Sequence, residues 1–366
     1  MFSLFFFVTQ ALAGILKVEI LDVGQGDAIL IRSPKGKVVL IDGGTGRGNS
    51  VLNELKTRSI AEVNLMIATH PHADHIGGLD EVLEAIPVKN YMDNSLPHTT
   101  QSYQRVMKLI EDKEVGYIEA KNGRKINLDD GIVLEILHPQ EKGLTGTRSD
   151  LNSNSVVVRL QHGKNCMLFT GDAEEPTEHV LLQKGIEPCQ VLKVAHHGSN
   201  HSSSNSFLNA VQPEIALISC GLDNRYGHPG EETMSRLNRI GAQIYRTDQL
   251  GTITVISDGQ QISIKSEKNF TAGSNNEAQP QAQNEETPSS APASGSVSGN
   301  PNGFDLNAAT QAQLESISGI GPSKATAILA YIQTHGPFSS FSDVEKVKGI
   351  GPSTASKIEA ACYISH

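Results

Sequence analysis

The chain has 366 residues, enough for a large core and for about two domains. Its formal net charge is −10, with 40 acids against 30 lysines and arginines, which excludes a protein that holds nucleic acid by overall positive charge. A hydrophobic share of 38% and a charged share of 19% fit a soluble globular protein that also carries low-complexity sequence.

The first residues hold an apolar run, Leu4 to Val8, and then Ala11-Leu12-Ala13. Residues 1–13 read as a signal peptide with an A-x-A cleavage site, so the expected location is secreted, cell-surface or periplasmic. No Lys or Arg precedes the run, and a first strand of the fold is the alternative. No later segment approaches the ~20 apolar residues of a membrane span, so no stable span is expected. The cysteines (Cys166, Cys189, Cys220, Cys362) are widely spaced, without a C-x-x-C pair. Export would allow disulfides, but a chain this large does not need staples, and buried free thiols are the favoured expectation.

Residues 15–268 alternate short β-branched strands with helical stretches. Strands are expected at Leu16–Leu21, Asp27–Ile31, Lys37–Ile41, Ser155–Leu160, Cys166–Thr170 and Thr252–Ile256. Ser50–Thr57, Leu79–Ile86 and Ser102–Asp112 are expected to be helical. Hairpin turns at 32–36 and 161–165 argue for packed sheets with outer helices rather than a simple parallel α/β fold. From 269 to 303 the composition shifts to Asn, Gln, Ala, Pro, Ser and Gly, which cannot bury enough apolar surface to fold, and this stretch is expected to be a flexible linker. In the tail, residues 304–366, Ser318-Gly319-Ile320-Gly321-Pro322-Ser323-Lys324-Ala325 recurs as Lys348-Gly349-Ile350-Gly351-Pro352-Ser353-Thr354-Ala355. Each copy follows one short helical stretch (Ala312–Ile317, Ser342–Val347) and opens another (Ser323–Thr334, Ser353–Cys362). That duplication marks a repeat.

The chemistry concentrates in Thr69-His70-Pro71-His72-Ala73-Asp74-His75, behind the apolar run Val63 to Ala68. His70 and His72 leave a strand on one side, and Asp74 and His75 open the next helix. Imidazole and carboxylate together suit zinc, manganese or iron. Partners must come from elsewhere. Leu168-Phe169-Thr170-Gly171-Asp172 and Val191 to His197 are apolar strands that end in an acid and in two histidines.

The H-x-H-x-D-H pattern resembles the metallo-β-lactamase superfamily. More narrowly, it is similar to the hydrolase domain of ComEC-type DNA-uptake proteins. The matching segments are Leu21–Asp27, Thr69–Gly78, Asn152–Leu160, Thr170–Asp172, Lys193–Ser199, Tyr226–Pro229 and Arg246–Asp248. The resemblance implies an α+β fold, an αββα sandwich over residues 15–268, with two divalent ions, Zn2+ or Mn2+, at one sheet edge. It implies His70 and His72 at the first ion, Asp74 and His75 at the second, Asp172 between them and one of His196 and His197 completing the second, with His197 preferred and His196 then facing substrate. Asn154 stands where the superfamily usually has a histidine and is the expected third ligand of the first ion, which implies a weaker first site or a single sufficient metal. His228 is either a catalytic or phosphate-contacting residue or part of a turn. His138, His162 and the serines Ser199, Ser202 and Ser203 read as ordinary structural residues.

In the tail, Gly-Ile-Gly-Pro at the mouth of a helix is the signature of a helix-hairpin-helix, whose free N–H groups point at a phosphate. Two copies resemble the DNA-binding module of ComEA-type competence proteins. Gly319, Gly321, Ser323, Lys324, Gly349, Gly351, Ser353 and Thr354 are the expected DNA contacts, made to the backbone without sequence preference. The expected function is an exported metal-dependent phosphodiesterase acting on DNA, in which Asp74 orients water and His228 or His196 protonates the leaving oxygen. Its rivals are a DNA-capture protein that no longer turns over and a hydrolase of a small phosphoester such as phosphorylcholine.

Overall fold

The β-branched runs form two sheets in a computed structural model, which describes residues 14–46, 50–268, 298–299, 304–315, 317, 320–338, 340–344, 346–347 and 350–364. The expected signal peptide and most of the expected linker lie outside the described residues. The chain divides into two compact units, Met1–Asn276 and Glu277–His366.

The strands of the first unit are, in chain order, β1 (Leu16–Ile20), β2 (Ile29–Arg32), β3 (Val38–Ile41), β4 (Leu65–Ile67), β5 (Asn90–Asp93), β6 (Gly116–Glu119), β7 (Lys125–Asp129) and β8 (Ile132–His138). They continue as β9 (Val157–His162), β10 (Asn165–Phe169), β11 (Val191–Lys193), β12 (Ile215–Ile218), β13 (Gln243–Arg246), β14 (Ile253–Ser257) and β15 (Ile262–Ser266). One sheet runs β15-β14-β1-β2-β3-β4-β5-β6 and the other β13-β12-β11-β10-β9-β8-β7.

Side chains alternate across each strand. Val39, Ile41, Leu65 and Ile67 join one buried cluster, while Val38, Leu40 and Met66 join a second. In the other sheet Met167 and Phe169 share the first cluster, and Cys166 and Leu168 join a third. Strands buried on both faces read as unbroken apolar runs for this reason. The first cluster draws on both sheets and therefore lies between them. Helices Val51–Thr57, Leu79–Ala85 and Gln101–Asp112 cover the second, and Glu175–Gln183, Asn205–Val211 and Glu231–Arg239 cover the third. The result is the expected αββα sandwich. Each Leu, Ile or Val so buried stabilises the fold by roughly 1.5–3 kcal/mol against leaving it exposed.

Two features place the site. β3, β4 and β5 run parallel to one another, and so do β10, β11 and β12. The segments that leave β4, β10 and β11 meet at one edge, where Val156 N–H donates across the sandwich to Thr69 O at 2.9 Å. At the other end of β10 the structure corrects the thiol expectation: Cys166 and Cys189 form a disulfide, while Cys220 and Cys362 are free and buried. The pairing tethers the starts of β10 and β11, neighbours whose register brings Met167 opposite Val191.

In the second unit the repeat is visible in the core. Leu314 and Val344, Ile317 and Val347, Ile320 and Ile350, Ala325 and Ala355, and Ile328 and Ile358 are all buried in one cluster. Helices Gln311–Glu315, Pro322–His335, Phe341–Val344 and Pro352–Ala361 carry them. A small sheet was not foreseen: β16 (Ser298–Gly299), β17 (Phe304–Asp305) and β18 (Cys362–Ile364), in the order β16-β18-β17. The unit thus reaches back into the stretch expected to be linker, and its last helix stops before Cys362. Among the described residues no helix is long and apolar enough to cross a membrane.

Candidate metal centre and nucleic-acid interface

His70, His75, Asp172 and His197 are buried together at the sheet edge, with Asp74 partly exposed beside them. His75 Nε2 lies 3.1 Å from Asp172 Oδ1, and His197 Nε2 lies 3.4 Å from Asp74 Oδ2 and 3.7 Å from Asp172 Oδ1. His70 Nε2 is 3.8 Å from Asp172 Oδ2 and 2.9 Å from His72 Nδ1. Ligand atoms of His70, His75 and Asp172 fall within 4.8 Å of one another, and so do those of Asp74, His75 and His197. The structure therefore brings together all six histidines and aspartates expected as ligands, with Asp172 facing both sets.

The backbone is bent to do this. His196 and His197 adopt left-handed φ values of 51° and 54°, and Asp42 one of 60°. Non-glycine residues rarely accept that conformation, and it persists where surrounding contacts enforce it. Gly26 is needed for a different reason: a Cβ there would sit 2.4 Å from Asp74 O, where the next residue, Asp27, donates its N–H at 3.1 Å.

A second ring of groups holds the outward nitrogens. Asp42 Oδ2 lies 2.8 Å from His75 Nδ1 and also accepts from Thr69 Oγ1 at 2.8 Å. His197 Nδ1 lies 3.0 Å from Ser219 O and 3.2 Å from Asp27 Oδ1. Lys193 Nζ, fully buried, donates to Asp27 Oδ2 at 2.7 Å. With Nδ1 engaged outward, Nε2 of each ring faces the centre, which fixes orientation and raises ligand basicity.

Three inward atoms, His75 Nε2, His197 Nε2 and Asp172 Oδ1, are buried and form no well-aligned hydrogen bond among the described residues, although ion-pair distances of 3.1 and 3.7 Å link them. Buried polar atoms are normally satisfied, so this group fits a bound cation. The local field agrees. Burial works against charge on His75, yet Asp172 and Asp42 hold its pKa well above the usual imidazole value. His197 is raised to about 10 against burial, by Asp172 and Asp27. Asp172 stays well below the carboxylate range despite burial, because His75, His197 and His196 surround it. The surrounding carboxylates favour positive charge at these rings, which a divalent ion bound there would also supply. His70 is pushed down, first by burial and then by His75.

Asn154 is corrected. Its Oδ1 accepts from Leu144 N–H at 2.8 Å and its Nδ2 donates to Leu144 O at 2.8 Å and Asp150 O at 2.6 Å. The amide is committed at both ends to the 144–150 loop and is not turned to the cluster. His196 sits at the mouth, its Nε2 3.6 Å from Asp172 and its Nδ1 3.4 Å from Glu174. His228 is close by, its ring 5.5 Å from that of His196 and its pKa lowered to about 4 by burial and then by His196 and His197. His138 and His162 are buried on Ser155 O and Ser257 Oγ, and Ser202 Oγ donates to Ala173 O. All three are structural, as expected.

In the tail, Gly321 and Gly351 precede the helices at Pro322 and Pro352 with φ of −90° and −105°. Gly321 O accepts from Lys324 and Ala325 N–H at 3.0 Å, and Gly351 O from Thr354 and Ala355 N–H at 2.9 Å. A Cβ at either glycine would meet nothing within 4 Å. Among the described residues, neither backbone angle nor internal packing requires glycine there, which is compatible with close approach from outside. Gly319 and Gly349 lie outside the described residues, and Ser323 and Ser353 open the two helices.

The model of the Metallo-beta-lactamase superfamily matches residues 21–222. The chain belongs to that superfamily. A helix-hairpin-helix motif matches residues 299–362, which agrees with the small sheet in beginning the tail before residue 304. The chain is 29% identical over 274 residues to ComE operon protein 3 of Bacillus subtilis, covering 69% of this chain and 34% of that protein. It is 33% identical over 245 residues to Recombination protein 2 of Haemophilus influenzae, covering 65% of this chain and 28% of that protein. Its tail is 40% identical over 57 residues to ComE operon protein 1 of B. subtilis, covering 16% of this chain and 28% of that protein. The chain thus spans about a third of the length of these relatives.

Within the superfamily site, sequence reading missed Asp27, Asp42, Lys193 and Glu174. Asp42 closes the apolar strand Val38–Ile41 just as Asp172 follows Asn165–Phe169, so the same signal was present. Lys193 is a charge inside an apolar run, and such a charge requires a buried partner.

Proposed function

We propose that the chain is an exported, metal-dependent phosphodiesterase that hydrolyses DNA and holds it through the tail without reading sequence. The convergence of His75 Nε2, His197 Nε2 and Asp172 Oδ1, buried and without a well-aligned hydrogen bond, carries the metal-dependent part. His70 and His72 would hold one ion, Asp74, His75 and His197 the other, with Asp172 shared; zinc and manganese both suit such nitrogen and carboxylate donors. When bound, the ions supply Lewis acidity and lower the pKa of water toward ~7. Asp74, the partly exposed carboxylate of the set, is placed to orient the attacking water. His196, held from behind by Glu174, would pass a proton to the leaving oxygen, and His228 beside it, with its lowered pKa, would do so only by relaying one. DNA as substrate is supported by the open glycine turns of the tail and by the competence and recombination names of the relatives. Export is supported by the A-x-A pattern and by the Cys166–Cys189 disulfide, since disulfides persist in oxidising compartments.

Incubating metal-replete protein with single- and double-stranded DNA tests this reading. Cleavage that stops on chelation is expected. Purified protein that carries no metal and cleaves neither form would favour a DNA-capture role instead.

A further inference from the structure

Beside the cluster, β12 leads into the loop Gly221–Gly230, which has an unusual surface. Among the described residues only four large hydrophobic side chains are exposed, and two of them, Leu222 (72%) and Tyr226 (53%), are in this loop. The loop is internally braced. Asn224 Oδ1 accepts from Tyr226 and His228 N–H at 3.2 and 3.0 Å, and its Nδ2 donates to Gly221 O and His228 O at 3.0 and 2.5 Å. Gly227 N–H adds a bond to Asn224 O at 3.2 Å. Tyr226 is therefore presented to solvent by a fixed backbone.

Its ring continues a row of aromatic groups that starts at the cluster, with His196 edge-on and His197 tilted toward His228. The His197 and His228 rings are 6.2 Å apart, and those of His196 and His228 are 5.5 Å apart. His228 and Tyr226 are stacked at 5.8 Å with 23° between their planes. The Arg225 guanidinium then lies 4.9 Å from the Tyr226 centroid and donates to its hydroxyl at 2.8 Å. We propose that Tyr226, with Arg225 beside it, is a stacking platform for the base next to the scissile phosphate, so that the site prefers single-stranded DNA. This rests on the DNA-hydrolase reading above.

The chemistry favours that occupant. With His228 stacked on the ring and Arg225 over it, a base of any sequence takes a face of Tyr226 by displacing the exposed Arg225 side chain, which then adds stacking and charge for the adjoining phosphate. In a duplex the base faces are already covered by their neighbours, so a platform of this kind discriminates against it. A small substrate bearing a quaternary ammonium, such as phosphorylcholine, would instead meet the positive charge of Arg225 at the same ring.

The test uses the whole chain with divalent metal, beside the Tyr226→Leu and Tyr226→Phe variants. Each is titrated with single-stranded oligonucleotides containing 2-aminopurine, whose fluorescence falls on stacking. Cleavage of single-stranded DNA, duplex DNA and methyl p-nitrophenyl phosphate is followed in parallel. Quenching is expected with wild type and Tyr226→Phe and is expected to be weakened in Tyr226→Leu. In Tyr226→Leu, kcat/KM on single strands should fall about tenfold further than on the small diester, with most of the single-strand preference lost. Wild-type quenching and an unchanged single-strand preference in Tyr226→Leu would overturn the platform. Cleavage of the small diester by wild type, with no cleavage of either DNA, would overturn the DNA reading itself, an outcome separable from the first because it does not depend on Tyr226.

Discussion

The sheet edge and the tail solve opposite problems. At the edge, charged groups are buried, their backbone is strained and each outward nitrogen is held by a further residue. In the tail, Gly321 and Gly351 are exposed and unstrained, and a Cβ at either would meet nothing within 4 Å among the described residues. Bond cleavage needs fixed charge in a site shielded from water, because there electrostatic stabilisation is strongest and costs no rearrangement. Gripping a polymer of any sequence needs only backbone donors that can be approached. On the proposed function, one region would work by what it packs in and the other by what it leaves out.

If that contrast holds, substitutions should hurt the edge by removing groups and the tail by adding them. The largest effect is expected for Asp172→Ala, whose carboxylate faces both ligand sets. It should lose bound metal and cost more activity than His228→Ala, which would remove at most a proton transfer worth ~10²–10⁴-fold. Comparing kcat and metal content decides it, and an Asp172→Ala protein that keeps both would break the shared-ligand assignment. Next is Asp42→Ala, which touches no proposed ion but leaves His75 Nδ1 without its 2.8 Å partner. Metal affinity should fall about 10–100-fold in a metal titration.

The smallest effect is expected in the tail. Gly321→Val/Gly351→Val should change thermal stability little, about 1 kcal/mol or less per site, since a Cβ meets no protein atom and only cap preference is lost. Binding of unrelated duplexes to the whole chain should nevertheless weaken. The salt dependence of wild-type binding should be shallow, with a log–log slope near −0.9 per phosphate neutralised. Duplex binding that survives both valines, or that selects one sequence strongly, would remove the glycine turns as the grip.

What the sequence made legible follows from separation along the chain. His70 to His75 occupy one short segment, and the strands behind them are apolar runs, so ligands and layers were both readable. The supports were not. Asp42 acts on His75 from 33 residues away and Asp27 on Lys193 from 166, pairings that only the folded sheets create. Asn154 was misplaced because order along the chain does not give side-chain direction, and the 144–150 loop claims its amide. The disulfide escaped because Cys166 and Cys189 become neighbours only once β10 and β11 lie side by side. In the tail the repeat exposed the helices, but the three-residue strand Cys362–Ile364 is too short to carry a period.

The central claim is that the buried histidines and aspartates at the sheet edge hold catalytic ions. Elemental analysis of the purified whole chain, paired with DNA cleavage assayed across a chelator series and after metal is restored, addresses it most directly. About two divalent ions of the zinc or manganese type per chain are expected, with cleavage lost on chelation and recovered on readdition. Full cleavage in excess chelator by protein shown to be free of metal would contradict it.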